Sequence, residues 1–326
     1  MIAVCTLLLL GTAALVAERD EPRRDLRAGP APARGTGEVG SPTGEGRSVA
    51  TANGKIAFIR STGPQDPAPK IYLMNEDGSD QVMIAETTRG GNLTWSPDGT
   101  KLAFEDVGGI YTVNADGTGE TRVPTTSEGD QWPSWSPDGT KLAVRRIEGR
   151  TDGIEVVNLD GSGRRRVATG DVAWPAWSPD GRRIAYSSAG ELYVINADGS
   201  GRKQLTTTGG FDDAPTWSPD GRKIAFRHNN TISVIDVGGG EARPLASPGG
   251  TAVVNPAGQG ANKLATGRGT PATPQWSPDG QKIIYALYQT GEACSIWIMN
   301  ADGSGQAPLT DNRTCDRDPA WQPRPP

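Results

Sequence analysis

Trp-Ser-Pro-Asp-Gly stands at residues 95–99, 135–139, 177–181, 217–221 and 276–280, and a shortened copy, Trp-Gln-Pro, at 321–323. Successive tryptophans are 40, 42, 40, 59 and 45 residues apart, a period near that of propeller blades. Within the pentapeptide, proline presets φ at the second turn position and glycine accepts the positive φ at the exit, so the stretch reads as a tight turn between two strands.

Working outward from Trp177, strand-length segments fall at 175–178, 183–187, 191–196 and 202–206, an antiparallel four-stranded meander. The third and fourth segments are joined by Asn196-Ala-Asp-Gly-Ser-Gly201, a turn that recurs at Asn75, Asn114, Asn158 and Asn300. Second strands alternate bulky and small side chains, as in Leu102-Ala103-Phe104, Leu142-Ala143-Val144, Ile184-Ala185-Tyr186 and Ile224-Ala225-Phe226. Alternate residues face opposite ways, so bulk on one face and alanine on the other suits sheets stacked around a ring, each filling its neighbour's hollow.

The chain ends are complementary. Residues 54–58, Gly-Lys-Ile-Ala-Phe, form a second strand with no Trp segment before it, whereas Pro319-Ala320-Trp321 is a first strand with nothing after it. The expected fold is all-β: a six-bladed β-propeller of four-stranded antiparallel blades, closed by the C-terminal strand pairing with the N-terminal blade and so leaving no open edge. The fourth repeat departs from the pattern, with Asp236-Val-Gly-Gly-Gly240 as its turn and an insertion over about 249–269 before Trp276, read as an exposed loop.

The chain of 326 residues has a net charge of -5 and a pI near 5.1, which argues against a nucleic-acid partner. Arg164, Arg165 and Arg166 fall on an outer edge strand, where charge blocks edge-to-edge pairing. Residues 1–17 read as a signal peptide, or as an N-terminal anchor, because Arg19, Arg23, Arg24 and Arg27 follow the apolar run rather than precede it. Residues 18–52 read as a disordered Pro/Gly/Arg-rich tether, and 53–326 as the propeller. In an exported, periplasmic, cell-envelope or extracellular protein, Cys294 and Cys315 would form a disulfide across 21 residues, worth about 3 kcal/mol on the chain-entropy model. Cys5 would leave with the signal peptide.

Trp-Ser-Pro-Asp-Gly, Ile-Ala-Phe, Leu-Tyr-Val-Ile-Asn-Ala-Asp-Gly-Ser-Gly and Gln-Leu-Thr closely resemble the WD40-like (PD40) repeats of the TolB-type six-bladed propeller over about residues 53–323. The resemblance implies an envelope protein that works by binding other proteins. In that family a separate α/β domain precedes the propeller, a place taken here by the tether. Similar propellers also serve as gating domains of prolyl-oligopeptidase-type peptidases and as the body of oligogalacturonate lyase.

No Gly-x-Ser-x-Gly elbow is present, which argues against a peptidase and leaves, as an alternative, a peptidase-type gating propeller lacking its hydrolase domain. The lyase resemblance implies several histidines around a metal, whereas this chain has one, His228, beside Asn229 and Asn230. The Asn-x-Asp-Gly turns place glycine fourth where a calcium loop needs it sixth, with no glutamate in register. Catalytic and metal-ligating residues are therefore expected to be absent, as is a cofactor, and a monomer is expected.

Loops that deliver the chain to inner strands carry aromatic residues, Trp132, Trp174 and Phe211, and carboxylates, Asp130, Asp171, Asp212, Asp213, Asp316 and Asp318. Converging on one rim of a channel, they would bind a protein or peptide partner, such as a basic peptide, or a glycan. On the alternative reading the rings wedge between blades and the aspartates cap turns. The membrane would be met only through the N-terminal segment.

Overall fold

The computed structural model describes residues 53–63, 66–149, 152–207, 209–240, 242–246, 269–289, 294–311 and 313–324. The expected signal peptide, the tether and all but the last residue of the 249–269 insertion lie outside these. No helix occurs among the described residues.

The repeat containing Trp177 folds as an antiparallel sheet of Val172–Trp177, Arg183–Ser188, Glu191–Asn196 and Lys203–Gln204, in sequence order. Its Trp-Ser-Pro-Asp-Gly turn closes through Gly181 N–H donating to the Ser178 carbonyl at 2.9 Å. The Ser178 hydroxyl donates to Asp180 Oδ1 at 2.5 Å and accepts from Arg183 N–H at 2.9 Å. The Trp95, Trp135 and Trp217 repeats form three further four-stranded sheets.

The remaining eight strands form one sheet. Its order is Gly269–Trp276, Lys282–Gln289 and Cys294–Asn300, with Ala307–Pro308 on the last of these, then Cys315–Trp321, Ile56–Ser61, Lys70–Met74 and Val82–Glu86. Two antiparallel meanders meet in it at one parallel bridge, Cys294 with Cys315. These cysteines are disulfide-bonded, with Cα atoms 4.3 Å apart, and that link draws together strands that would otherwise belong to separate blades. Six separate blades are expected from the repeats; the backbone ladders give four separate sheets and this fused pair. Closure runs as expected, with the last strand pairing antiparallel to the first in the register Ile56 to Trp321 and Ala57 to Ala320.

Packing between neighbours follows the bulky/small alternation. Ala103, Ile110 and Val123 of one sheet enclose Trp135, Leu142 and Val144 of the next. Ala185 and Leu192 likewise meet Trp217, Ile224 and Phe226. Ile284 takes the alanine position against Phe58 and Trp321. Phe58, Phe104, Tyr186, Phe226 and Tyr285 are buried to 2% exposure or less.

The Asn-x-Asp-Gly turns complete these seams. Gly117 has φ +84°, and a Cβ there would lie 2.3 Å from the Ile84 carbonyl oxygen of the preceding sheet. Gly78 meets Leu309 and Gly303 meets Leu245 in the same way. In the divergent fourth repeat the contact is lost, since a Cβ on Gly239 would find only Lys203 Nζ, at 3.9 Å.

Candidate binding site

Every inner strand breaks its ladder at the same place. The residue three before the sheet tryptophan has a positive φ: Asn92 at 52°, Trp132 at 52°, Trp174 at 55°, Ala214 at 49°, Thr273 at 47° and Asp318 at 51°. A register shift falls there in each pairing with the second strand. In five of the six cases the next residue is proline, which has no N–H to lose where the ladder is interrupted. The left-handed conformation costs a non-glycine residue about 1–2 kcal/mol, and such strain clusters at functional sites. All six residues line a central cavity of about 270 Å³, whose wall continues into Trp95, Trp135, Trp177 and Trp217.

Trp132 and Trp174, both half-buried, stack with ring centroids 4.5 Å apart and planes 17° from parallel. The Arg145 guanidinium lies over Trp132 at 4.9 Å and is held by Asp152 at 2.6 Å. Glu105, which sequence reasoning missed, ties the ring together from behind. Its Oε1 accepts a hydrogen bond from Asn92 Nδ2 at 2.7 Å and another from the Trp132 N–H. Burial pushes its carboxyl up from the ordinary glutamate range, and nearby Asp318 adds to the effect. Its role depends on a residue of the adjacent sheet, which no local motif reveals.

Phe211 does not join the tryptophans. It stands six residues before Trp217 rather than three, so Ala214 holds the ring position. The residue is 56% exposed, while its N–H donates to Asn229 Oδ1 at 3.0 Å. Counting back from each Trp-Ser-Pro-Asp-Gly would have separated it from Trp132 and Trp174.

Most of the expected carboxylates are held by Arg or His side chains rather than open to the channel. Asp130 is buried between Arg146 at 3.1 Å and Arg164 at 2.9 Å. Asp316 takes two hydrogen bonds from Arg60, each of 2.8 Å. Asp212 meets His228 Nδ1 at 2.5 Å, and Asp213 is paired with Arg227. The reason is register: Asp130 lies opposite Arg146, Asp212 opposite His228 and Asp213 opposite Arg227 across the first hairpin. The partner is legible as an Arg or His ten or eleven residues after the tryptophan. Asp171 is exposed, its carbonyl accepting from Ala189 N–H at 3.1 Å. Asp318 faces the channel with Arg317 at 2.8 Å.

Four exposed apolar side chains, Val107, Ile147, Phe211 and Tyr288, emerge at the end of the strands opposite the Trp-Ser-Pro-Asp-Gly turns. The other two, Val82 and Met83, lie on the outer strand Val82–Glu86. Among the described residues no group of three His, Cys, Asp or Glu side chains is placed to hold a metal ion.

Stacked four-stranded meanders around a central channel, with the last strand closing onto the first, define a β-propeller. The family described as the TolB beta propeller domain, PD40, matches residues 109–260, so over that stretch the repeats of this chain are similar to those of TolB-type propellers. The Tol-Pal system protein TolB of Anaeromyxobacter dehalogenans is 39% identical over 46 residues, 14% of this chain and 10% of that protein. The match thus spans about a tenth of that relative's length. TolB from Acinetobacter baumannii superposes with a TM-score of 0.67 at 24% identity, over 83% of this chain and 67% of that one. A putative TolB from Agrobacterium tumefaciens gives 0.61 at 19% identity, over 83% and 99%. At such identities the two structures establish a common fold.

Proposed function

We propose that this chain is an exported, non-enzymatic scaffold that binds a protein or peptide partner over the mouth of its channel. The observation that carries the reading is the half-buried Trp132–Trp174 stack, set in a strained ring and surrounded on the same face by Val107, Ile147, Phe211 and Tyr288. Large rigid rings amid exposed apolar groups are what protein interfaces use as anchors. The curated relative's name places it in a Tol-Pal system, which favours a polypeptide partner over a small substrate. Export is supported by the disulfide, since such bonds persist in oxidising compartments, and by the apolar run near the N-terminus.

The test is a selection of displayed peptides on the immobilised protein, followed by affinity measurements on a Trp132→Ala/Trp174→Ala variant. Recovered peptides should bind the variant at least about tenfold more weakly. Failure to recover any peptide, or equal affinity for the variant, sinks the reading; a glycan array run in parallel would then show whether the rings serve sugars instead.

A further inference from the structure

The channel lining has a chemistry more specific than its mouth. Six tryptophans, Trp95, Trp132, Trp135, Trp174, Trp177 and Trp217, contribute to a wall that holds no Lys, Arg or His among the described residues, and its one charged member is Asp318. The buried Glu105 carboxylate stands directly behind, on Asn92 and Trp132. None of the nearby guanidiniums, of Arg145, Arg317 and Arg183 (which lies 4.9 Å over Trp217), lines the cavity. Arg145 is turned onto Trp132 and Asp152, and Arg317 pairs with Asp318.

From this we infer that the channel is a receptor for one organic cation, the lysine ammonium or arginine guanidinium of a partner polypeptide, held on the faces of its tryptophans and drawn in by Asp318. Indole faces attract cations through their negative quadrupole, and more strongly where water is excluded. A carboxylate in a low-dielectric cleft focuses that attraction. Arg145 over Trp132 at 4.9 Å shows that an indole of this ring already accepts a guanidinium. The cavity of about 270 Å³ is sized for a side chain rather than a folded segment. The choice of a polypeptide as the source rests on the function proposed above, whereas the preference for a cation does not.

Two substitutions probe the site with little risk to the fold, because the ring itself supplies precedents at the same backbone conformation. Asn92 stands where Asp318→Asn would place an asparagine, and Ala214 where Trp174→Ala would place an alanine. The full chain would be titrated with Nα-acetyl-lysinamide, Nα-acetyl-argininamide and the uncharged Nα-acetyl-norleucinamide while tryptophan emission is followed. Saturable changes are expected with one or both cations, at concentrations at least about tenfold below any response to norleucinamide. Asp318→Asn and Trp174→Ala should each weaken cation binding by about tenfold or more. The stronger amide tells whether ammonium or guanidinium is preferred. Equal responses to all three probes, no response to either cation, or unchanged cation affinity in both folded variants overturns the inference. Peptide capture in the earlier selection combined with no preference for cations would overturn it while leaving the partner reading standing.

Discussion

Trp132 and Trp174 belong to different sheets, yet their rings stack at 4.5 Å because each occupies the same left-handed bulge of its inner strand. The bulge turns a side chain that would otherwise enter an inter-sheet seam toward the channel, and two neighbouring repeats carry an indole there. A double-mutant cycle on the pair should give a coupling of about 1 kcal/mol. Each single alanine variant should leave the thermal midpoint within a few degrees of wild type. A midpoint falling by ~10 °C would instead show the rings to be packing elements.

The turn glycines separate two costs. Gly117→Ala adds a Cβ against the Ile84 carbonyl as well as a positive φ, whereas Gly239→Ala adds only the second. Urea unfolding should show a loss of about 1 kcal/mol for Gly239→Ala and at least about twice that for Gly117→Ala. Equal losses would mean that the seam contact carries no energy.

Removing the disulfide with Cys294→Ser/Cys315→Ser should lower stability by about 3 kcal/mol. The same loss should follow when a reductant is added to the wild-type protein, and none when it is added to the variant. Insensitivity of the wild type to a reductant that demonstrably opens the bond would contradict the staple.

Two groups of carboxyls should act on stability with opposite sign. Burial raises the Glu105 pKa in the folded state. Its contribution is therefore full below the unfolded-state value and is lost as pH rises through the folded one. Hydrogen bonds from Ser96, Ser136 and Ser218 hydroxyls lower Asp98, Asp138 and Asp220. These contribute above the unfolded-state value, and the contribution is lost as pH falls through the folded one. The stability of Glu105→Gln relative to wild type should thus rise as pH climbs above the ordinary glutamate value, and Ser136→Ala should flatten the acid limb. Urea titrations at several pH values decide both, and a Glu105→Gln advantage that shrinks with pH would count against the assignment.

Phe211→Ser should change neither stability, by more than about 0.5 kcal/mol, nor the emission response to cations, since the ring stands apart from the channel. An effect on cation binding equal to that of Trp174→Ala would restore Phe211 to the same site.

Turn chemistry was legible because proline, aspartate and glycine act within five residues, so Trp177 to Gly181 announce both strands they join. Closure was legible because residues 54–58 and 319–321 lack complementary halves. Register is less legible. Phe211 shares with Trp132 and Trp174 its nearness to an inner strand, but three residues of offset leave Ala214 in the ring position. Aspartates such as Asp130 and Asp212 looked like an acidic funnel until their opposite numbers on the second strand were paired with them. Glu105 gave no signal, since its partners come from the bulges of two inner strands, Asn92 in its own sheet and Trp132 in the next. Separate blades at the closure were expected because nothing in the repeats says that two cysteines will merge their ladders.

Lys55 and Gln322 exchange backbone and side-chain hydrogen bonds, the Gln322 N–H reaching the Lys55 carbonyl at 2.8 Å and Lys55 N–H reaching Gln322 Oε1 at 2.9 Å. Gln322 Nε2 also donates to the Gly99 carbonyl at 2.8 Å, within a Trp-Ser-Pro-Asp-Gly turn. Residues 53 and 324 therefore share one exit, at the end of the strands that carries the Trp-Ser-Pro-Asp-Gly turns and opposite the end where Val107, Ile147, Phe211 and Tyr288 emerge. A dye, a surface linkage or a fused domain attached through either one leaves the opposite, apolar-rimmed end unobstructed, and two labels placed there report on each other rather than on whatever arrives at that rim.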